Sequence, residues 1–269
     1  MTRMEQIQFL NAALLEEMPS LRAQAAQFPL EEHAQRRLLR SLMNVRPPMP
    51  LSPSFLAVQD ALLSEEREAR GVVKDFPDFP GRPGLALWRG DITRMGVDAI
   101  VNAANGALLG CFHPCHGCID NAIHSAAGLQ LREACSRLMR TQGHEEPAGG
   151  AKLTAGYNLP ARYVLHTVGP IVQGRVTDQA RAELASCYRS CLALAAEHSL
   201  ETVAFCCIST GEFHFPSREA AGLAVHSVSA FLRTQTSVRK VIFNVFKESD
   251  EEIYRRLLHT APEAEAGAC

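Results

Sequence analysis

Apolar residues recur at helical spacing three times in the first 70 residues. Ile7, Leu10, Ala13, Leu14 and Met18 share one face of a helix predicted over residues 4–18. The pattern returns over residues 30–43 and is stopped by Pro47, Pro48 and Pro50. Phe55, Val58, Ala61 and Leu62 line a third helix over residues 54–69. Residues 71–84 are rich in Pro and Gly and read as a connector. From there the period alternates. Strands are predicted at 85–89, 99–101, 151–157, 162–168, 203–208 and 240–245. Helices are predicted at 121–138 (interrupted near Gly128), 178–198, 218–232 and 250–258. Strands and helices in this order imply an α/β fold, a sheet with helices on both faces. The division is therefore a helical extension over 1–70, a connector over 71–84, an α/β domain over 85–260 and a disordered tail over 261–269.

Composition narrows the function without naming it. The 269 residues carry 27 basic and 29 acidic side chains, a net charge of −2, so no overall field favours nucleic acid. Aromatics make up 6%, too few for a base-stacking platform. The longest run without Asp, Glu, Lys or Arg, residues 99–119, contains asparagines, glycines, a proline and two histidines, so it is no membrane span. The N-terminus begins with Arg3 and Glu5 and shows no signal-peptide apolar region, which makes the cytoplasm the expected compartment.

Nine cysteines remain to be explained. Cys187, Cys191, Cys206 and Cys207 lie in apolar surroundings and read as packed thiols. Cys111, Cys115 and Cys118 instead share eight residues with His113 and His116. Thiolates and imidazoles at this density suit zinc. No second ligand pair stands elsewhere, so an open site with a position left for water or substrate fits better than a closed structural one. Two rivals exist. Cys115 and Cys118 form a C-x-x-C that would suit a redox pair. Pro114-Cys115-x-x-Cys118 is half of a zinc deaminase signature, but the H-x-E it needs stands downstream at His144, in the wrong order.

Two further segments carry polar groups to strand ends. The buried run VDAIVNAAN ends in Asn102 and Asn105, which either face a ligand at the sheet's carboxyl edge or cap a turn. The loop Ser209-Thr210-Gly211-Glu212-Phe213 follows a buried strand and precedes a helix, a junction that offers N–H groups to an anion. Taken with the cysteine loop, it suggests a diphosphate ligand. His124 and His166 read as hydrogen-bonded structural histidines, Trp88 as a packing residue, Gly149-Gly150 as a turn, and the charges from Glu65 to Arg70 as a solvated face.

These segments together resemble a macrodomain. GDIT with VDAIVNAAN, then NAIHSAAG, AKLTAGYNLPARYVLHTVGP and ISTGEFHFP, stand in that family's order across residues 73–258. GCFHPCHGCIDN replaces the family's glycine-rich loop and is similar to the zinc-dependent macrodomains, the bacterial and fungal protein-ADP-ribose hydrolases. NVRPP and FLAVQDALLSEE in the helical extension resemble that class too.

The resemblance implies a three-layer α/β/α sandwich with a central mixed sheet of about six strands and ADP-ribose at the strand ends. It implies that Asp91 accepts from the adenine amino group with Ile92 beside the ring, and that Asn105 holds the distal ribose. Ser209, Thr210, Gly211, Glu212 and Phe213 would wrap the diphosphate and distal ribose. Cys111, His116 and Cys118 would hold one Zn²⁺ per chain, with Cys118, Ile119 and Asp120 lining the cleft beside it. Asn105 and Asp120 would be the catalytic pair, Asp120 activating water or orienting a ligand. His113 and Cys115 match no family ligand position, which leaves Cys115 as a reserve ligand.

The implied reaction is hydrolysis of the bond between C1″ of a single ADP-ribose and a protein side chain, Asp or Glu by expectation. The implied partner is a mono-ADP-ribosylated protein, a lipoyl-carrier protein in some bacteria, bound by a monomer. The competing class is a module that reads ADP-ribose without cleaving it, with zinc only shaping the loop.

Overall fold

Thr2 begins the first helix, α1 (Arg3–Glu17), with a reciprocal cap: its hydroxyl accepts from the Glu5 N–H and the Glu5 carboxylate accepts from the Thr2 N–H. The computed structural model describes residues 1–234 and 236–260. The expected disorder of 261–269 lies outside these described residues. After α1 come α2 (Arg22–Ala25), α3 (Glu32–Val45) and α4 (Pro53–Arg70). Ser52 caps α4 by accepting from Phe55 N–H, and Pro53 takes the first helical position, where its missing N–H costs nothing. Ile7, Leu10, Leu14, Leu38, Leu39, Leu42, Phe55 and Leu62 close a small core of their own. The four-residue α2 is too short to show a period, and the sequence reading missed it.

The NVRPP segment has a physical reason. Arg46 is buried and grips both oxygens of Glu17 while donating to the carbonyls of Met49 and Pro50. The proline turn is thereby wound around one guanidinium.

The second unit contains β1 (Leu85–Arg89), β2 (Ala99–Ala104), α5 (Ile119–Ala127), α6 (Leu129–Gln142), β3 (Ala151–Ala155), β4 (Tyr163–Val168), α7 (Asp178–Glu197), β5 (Thr202–Phe205), α8 (Ser217–Leu232), β6 (Lys240–Val245) and α9 (Glu248–His259). The sheet order is β1-β6-β5-β2-β4-β3, with β3 antiparallel to β4 and every other pair parallel. Five strands therefore end at the same edge, where an open α/β sheet binds ligands. On β2 and β4, Asn102 and His166 stand in register and face α5, whereas Thr167 faces α7. Helices thus cover both faces, as the alternation of periods predicts.

The interruption expected near Gly128 is a full break between α5 and α6, because Gly128 adopts φ +94° and a Cβ there would meet Gln59 at 2.7 Å and Asn158 at 3.1 Å. The strand expected over 203–208 leaves the ladder after Phe205. The connector is not loose: Val73 bridges Met95, and Phe76 and Phe79 are buried, Phe76 edge-on to Trp88 at 5.8 Å. Among the described residues no helix is long and apolar enough to cross a membrane.

Candidate active site and metal centre

The end of β2 separates the two asparagines. Asn102 is fully buried and donates from Nδ2 to Asp120 Oδ1 at 2.8 Å, so it supports the site from beneath. Asn105 is half-buried at the cleft edge. Its Oδ1 accepts from Ala107 N–H at 3.1 Å and its Nδ2 donates to Gly110 O at 3.3 Å. Asn105 therefore also caps the turn that starts the cysteine loop.

That loop brings three of its five candidate ligands together. The ligand atoms of Cys111, His116 and Cys118 all lie within 4.8 Å of one another, and Cys111 Sγ is 3.5 Å from His116 Nδ1. All three side chains are half-buried. Cys118 is also the N-cap of α5, its Sγ accepting from Asn121 N–H at 3.4 Å. Cys115, the reserve ligand, points elsewhere: its Sγ is 3.2 Å from Ser41 Oγ and 3.6 Å from the carbonyl of Arg37 on α3. A redox pairing of Cys115 with Cys118 has no support in this orientation. The His113 ring stands 5.3 Å from the His116 ring, tilted by 56°, and lies outside the group.

The donor set fits a soft dication. Burial pushes the Cys118 thiol up to about 12; the Asn121 N–H pulls it down and the neighbouring Cys111 pushes it further up. A cation taking the place of the Cys118 proton relieves that penalty, and two thiolates neutralise a divalent charge.

Asp120 is 5% exposed. Burial pushes its carboxyl up to about 6, against the pull of Asn102 and Arg132. Its Oδ1 is turned inward to Asn102 and lies 3.4 Å from His124 Nε2. Below it lie His124, Cys135 and His166, all buried; the expected hydrogen-bonded role holds for His166 but not for His124, whose two ring nitrogens have no hydrogen-bond partner among the described residues. His166 spends Nε2 on Thr154 Oγ1 at 2.8 Å and sets Nδ1 3.3 Å from Asn102, and burial holds both histidines neutral.

Loop 206–216 supplies the opposite wall. Ser209 adopts φ +64°, and Phe215 N–H bonds back to its carbonyl at 2.9 Å. A Cβ on Gly169 would lie 2.0 Å from Ser209 Oγ, so only glycine lets the end of β4 approach this loop. Ser209 Oγ is buried and has no hydrogen-bond partner among the described residues. Thr210 Oγ1 donates to Cys207 O, Phe213 O accepts from Val172 N–H, and Gly211 and Glu212 stand exposed. Glu212 Oε1 is 3.6 Å from His116 Nε2, so the two loops meet across the cleft.

At the far end, Asp91 Oδ1 accepts from the Thr93 N–H and hydroxyl, while Oδ2 faces Arg70 at 3.4 Å. Ile92, expected beside a bound ring, has its side chain in the core at 2% exposed. Ile119 and Phe213 are half-buried and pack on that core from the cleft side. Phe246, which the sequence reading did not single out, follows β6 directly and is 79% exposed. Gly90 N–H donates to Val245 O at 2.9 Å, so Phe246 stands next to Gly90-Asp91. A large apolar ring left bare at a strand's carboxyl end was the available signal.

The sheet order, the strand-end cleft and its two loops are those of a macrodomain, and comparison with known proteins agrees. Residues 101–224 match the Macro domain family. A Treponema medium protein named protein-ADP-ribose hydrolase is 50% identical over 96% of this chain and 100% of its own length. Among solved structures, the Oceanobacillus iheyensis macrodomain with ADP is 38% identical over 65% of this chain and 89% of its own, with a TM-score of 0.59. The Trypanosoma brucei macrodomain in complex with ADP-ribose is 32% identical over 81% and 94%, with a TM-score of 0.60. The chain belongs to the macrodomain family and, over 96% of its length, matches the protein-ADP-ribose hydrolases within it.

Proposed function

We propose that the protein is a zinc-dependent hydrolase that removes single ADP-ribose groups from modified protein side chains, cutting between C1″ of the distal ribose and an Asp or Glu carboxylate oxygen. One observation carries the reading: Cys111, His116 and Cys118 converge in the loop between Asn105 and α5 and face Glu212 of the opposite wall. Zinc held by these three would supply a Lewis acid with a position left for a ribose hydroxyl or water, lowering the pKa of the oxygen it takes.

The chain's own groups do the rest. Phe246 stacks the adenine and Asp91 accepts from its amino group. Loop 209–213 receives the diphosphate at the approach to α8, whose N-terminus favours negative charge. Asn105 holds the distal ribose so that water meets C1″ from one face. Asp120 ties the first turn of α5, and with it Cys118, to the end of β2 that carries Asn105. Glu212 places a carboxylate near the ribose ring, where positive charge grows as the bond breaks.

Incubation with a mono-ADP-ribosylated acceptor protein is expected to release the label. Release should stop with chelator and return with zinc. Release that chelator leaves untouched refutes the metal's part, and tight ADP-ribose binding without release makes the protein a reader. Phe246→Ala is expected to weaken ADP-ribose binding about 10-fold, within the ~1–3 kcal/mol that aromatic stacking contributes per base. Calorimetric titration checks this, and unchanged affinity removes Phe246 from the site.

A further inference from the structure

We propose that the N-terminal helical unit is part of the metal site, with Arg40 and Asn44 of α3 as positioning residues that hold the ligand loop in its binding shape. This rests on the metal reading above and extends it to a unit whose role the sequence leaves open.

The loop between Cys111 and Cys118 does little to order itself. Its one internal turn bond runs from His116 N–H to His113 O at 3.2 Å. Cys115 sits at φ +53°, a strained setting for a residue with a side chain. Its shape comes from α3. Asn44, buried at 1% exposed, accepts from the Cys115 N–H at 2.9 Å and donates to Ser125 Oγ at 3.1 Å. Arg40, one turn earlier on the same face, donates from Nη2 to the His116 carbonyl at 3.3 Å and to Asn121 Oδ1 at 2.8 Å.

Asn121 is the knot. It is fully buried, its Nδ2 donates to His113 O at 3.0 Å, and its N–H points at Cys118 Sγ. Through these bonds α3 fixes the backbone at 113, 115 and 116 directly or at one remove, and it orients the N–H that faces one ligand sulfur. Without them the ligands would have to be gathered at the moment of binding, an ordering cost that falls on affinity.

The test uses the full chain freed of metal and measures zinc affinity by competition with a chromophoric chelator. The absorption of the Co²⁺-loaded protein reports the coordination. Arg40→Met is expected to raise the zinc dissociation constant about 10-fold, and Arg40→Met with Asn44→Ala about 100-fold. Both should alter the Co²⁺ bands. Arg40→Lys should recover part of the loss, since it restores one donor. Arg40 is half-buried, so Arg40→Met decides the matter even if the buried Asn44 proves necessary for folding. Wild-type affinity and bands in Arg40→Met overturn the positioning role. A wild-type chain that takes up no stoichiometric zinc overturns the metal reading itself, and this role with it.

Discussion

Cys118→Ser is expected to lower turnover of a mono-ADP-ribosylated protein by at least about 10³-fold while the protein stays folded and still binds ADP-ribose. Serine isolates the ligand role, because Cys118 has two tasks. Its sulfur caps α5 by accepting from Asn121 N–H, and it completes the group with Cys111 and His116. A hydroxyl caps a helix at least as well as a thiol, so α5 should keep its start. It is a poor partner for a soft dication, and two remaining ligands do not hold one well. A metal contributes several kcal/mol to a transition state of this kind, and about 4 kcal/mol corresponds to 10³-fold. Nucleotide affinity should change little at the adenine end, since Asp91 and Phe246 belong to the far end of the cleft. Label release, melting temperature and ADP-ribose titration check the three parts. A serine variant that retains wild-type turnover would remove the thiolate from the chemistry.

The sequence disclosed the layers because the longer elements show their period. The helical face of Ile7, Leu10 and Leu14 and the buried run before Asn102 reappear as core. It also placed the cysteine loop, since ligand density is a local property. Ligand density alone did not choose among the five; the resemblance picked Cys111, His116 and Cys118, and contacts distant in sequence bring those three together. Cys115 is drawn to Ser41 and Arg37, more than seventy residues away, and this leaves Cys111, His116 and Cys118 as the group. Phe246 escaped for a related reason. It stands beside Gly90-Asp91 only because β6 lies beside β1, a pairing of strands at opposite ends of the α/β unit. Ile92 shows the same limit: an apolar residue beside a polar motif looks available, yet the turn capped by Asp91 places its side chain in the core.

Arg132→Met is expected to destabilise the metal-free protein by about 3–5 kcal/mol, because one buried guanidinium joins both units and the ligand loop. Arg132 lies on α6, 3% exposed. It donates from Nε to Leu109 O at 2.6 Å and from Nη1 to Met43 O at 2.9 Å and Arg46 O at 2.6 Å. Its guanidinium also stands 4.3 Å from the Phe112 ring centroid. Methionine refills the stem, so the loss is polar: three carbonyls near the end of α3 and the start of the cysteine loop lose their donor. Each unsatisfied buried carbonyl costs about 1–3 kcal/mol, and relaxation towards water returns part of the sum. At ~2–4 °C per kcal/mol for a domain of this size, the melting temperature should fall by roughly 10 °C. Arg132→Lys should recover little, since one ammonium cannot reproduce a planar fork aimed at Leu109 on one side and α3 on the other. Thermal and denaturant melts of the apo protein measure this. A drop below about 2 °C would mean that packing around Leu129, rather than these bonds, joins the helical unit to the α/β domain.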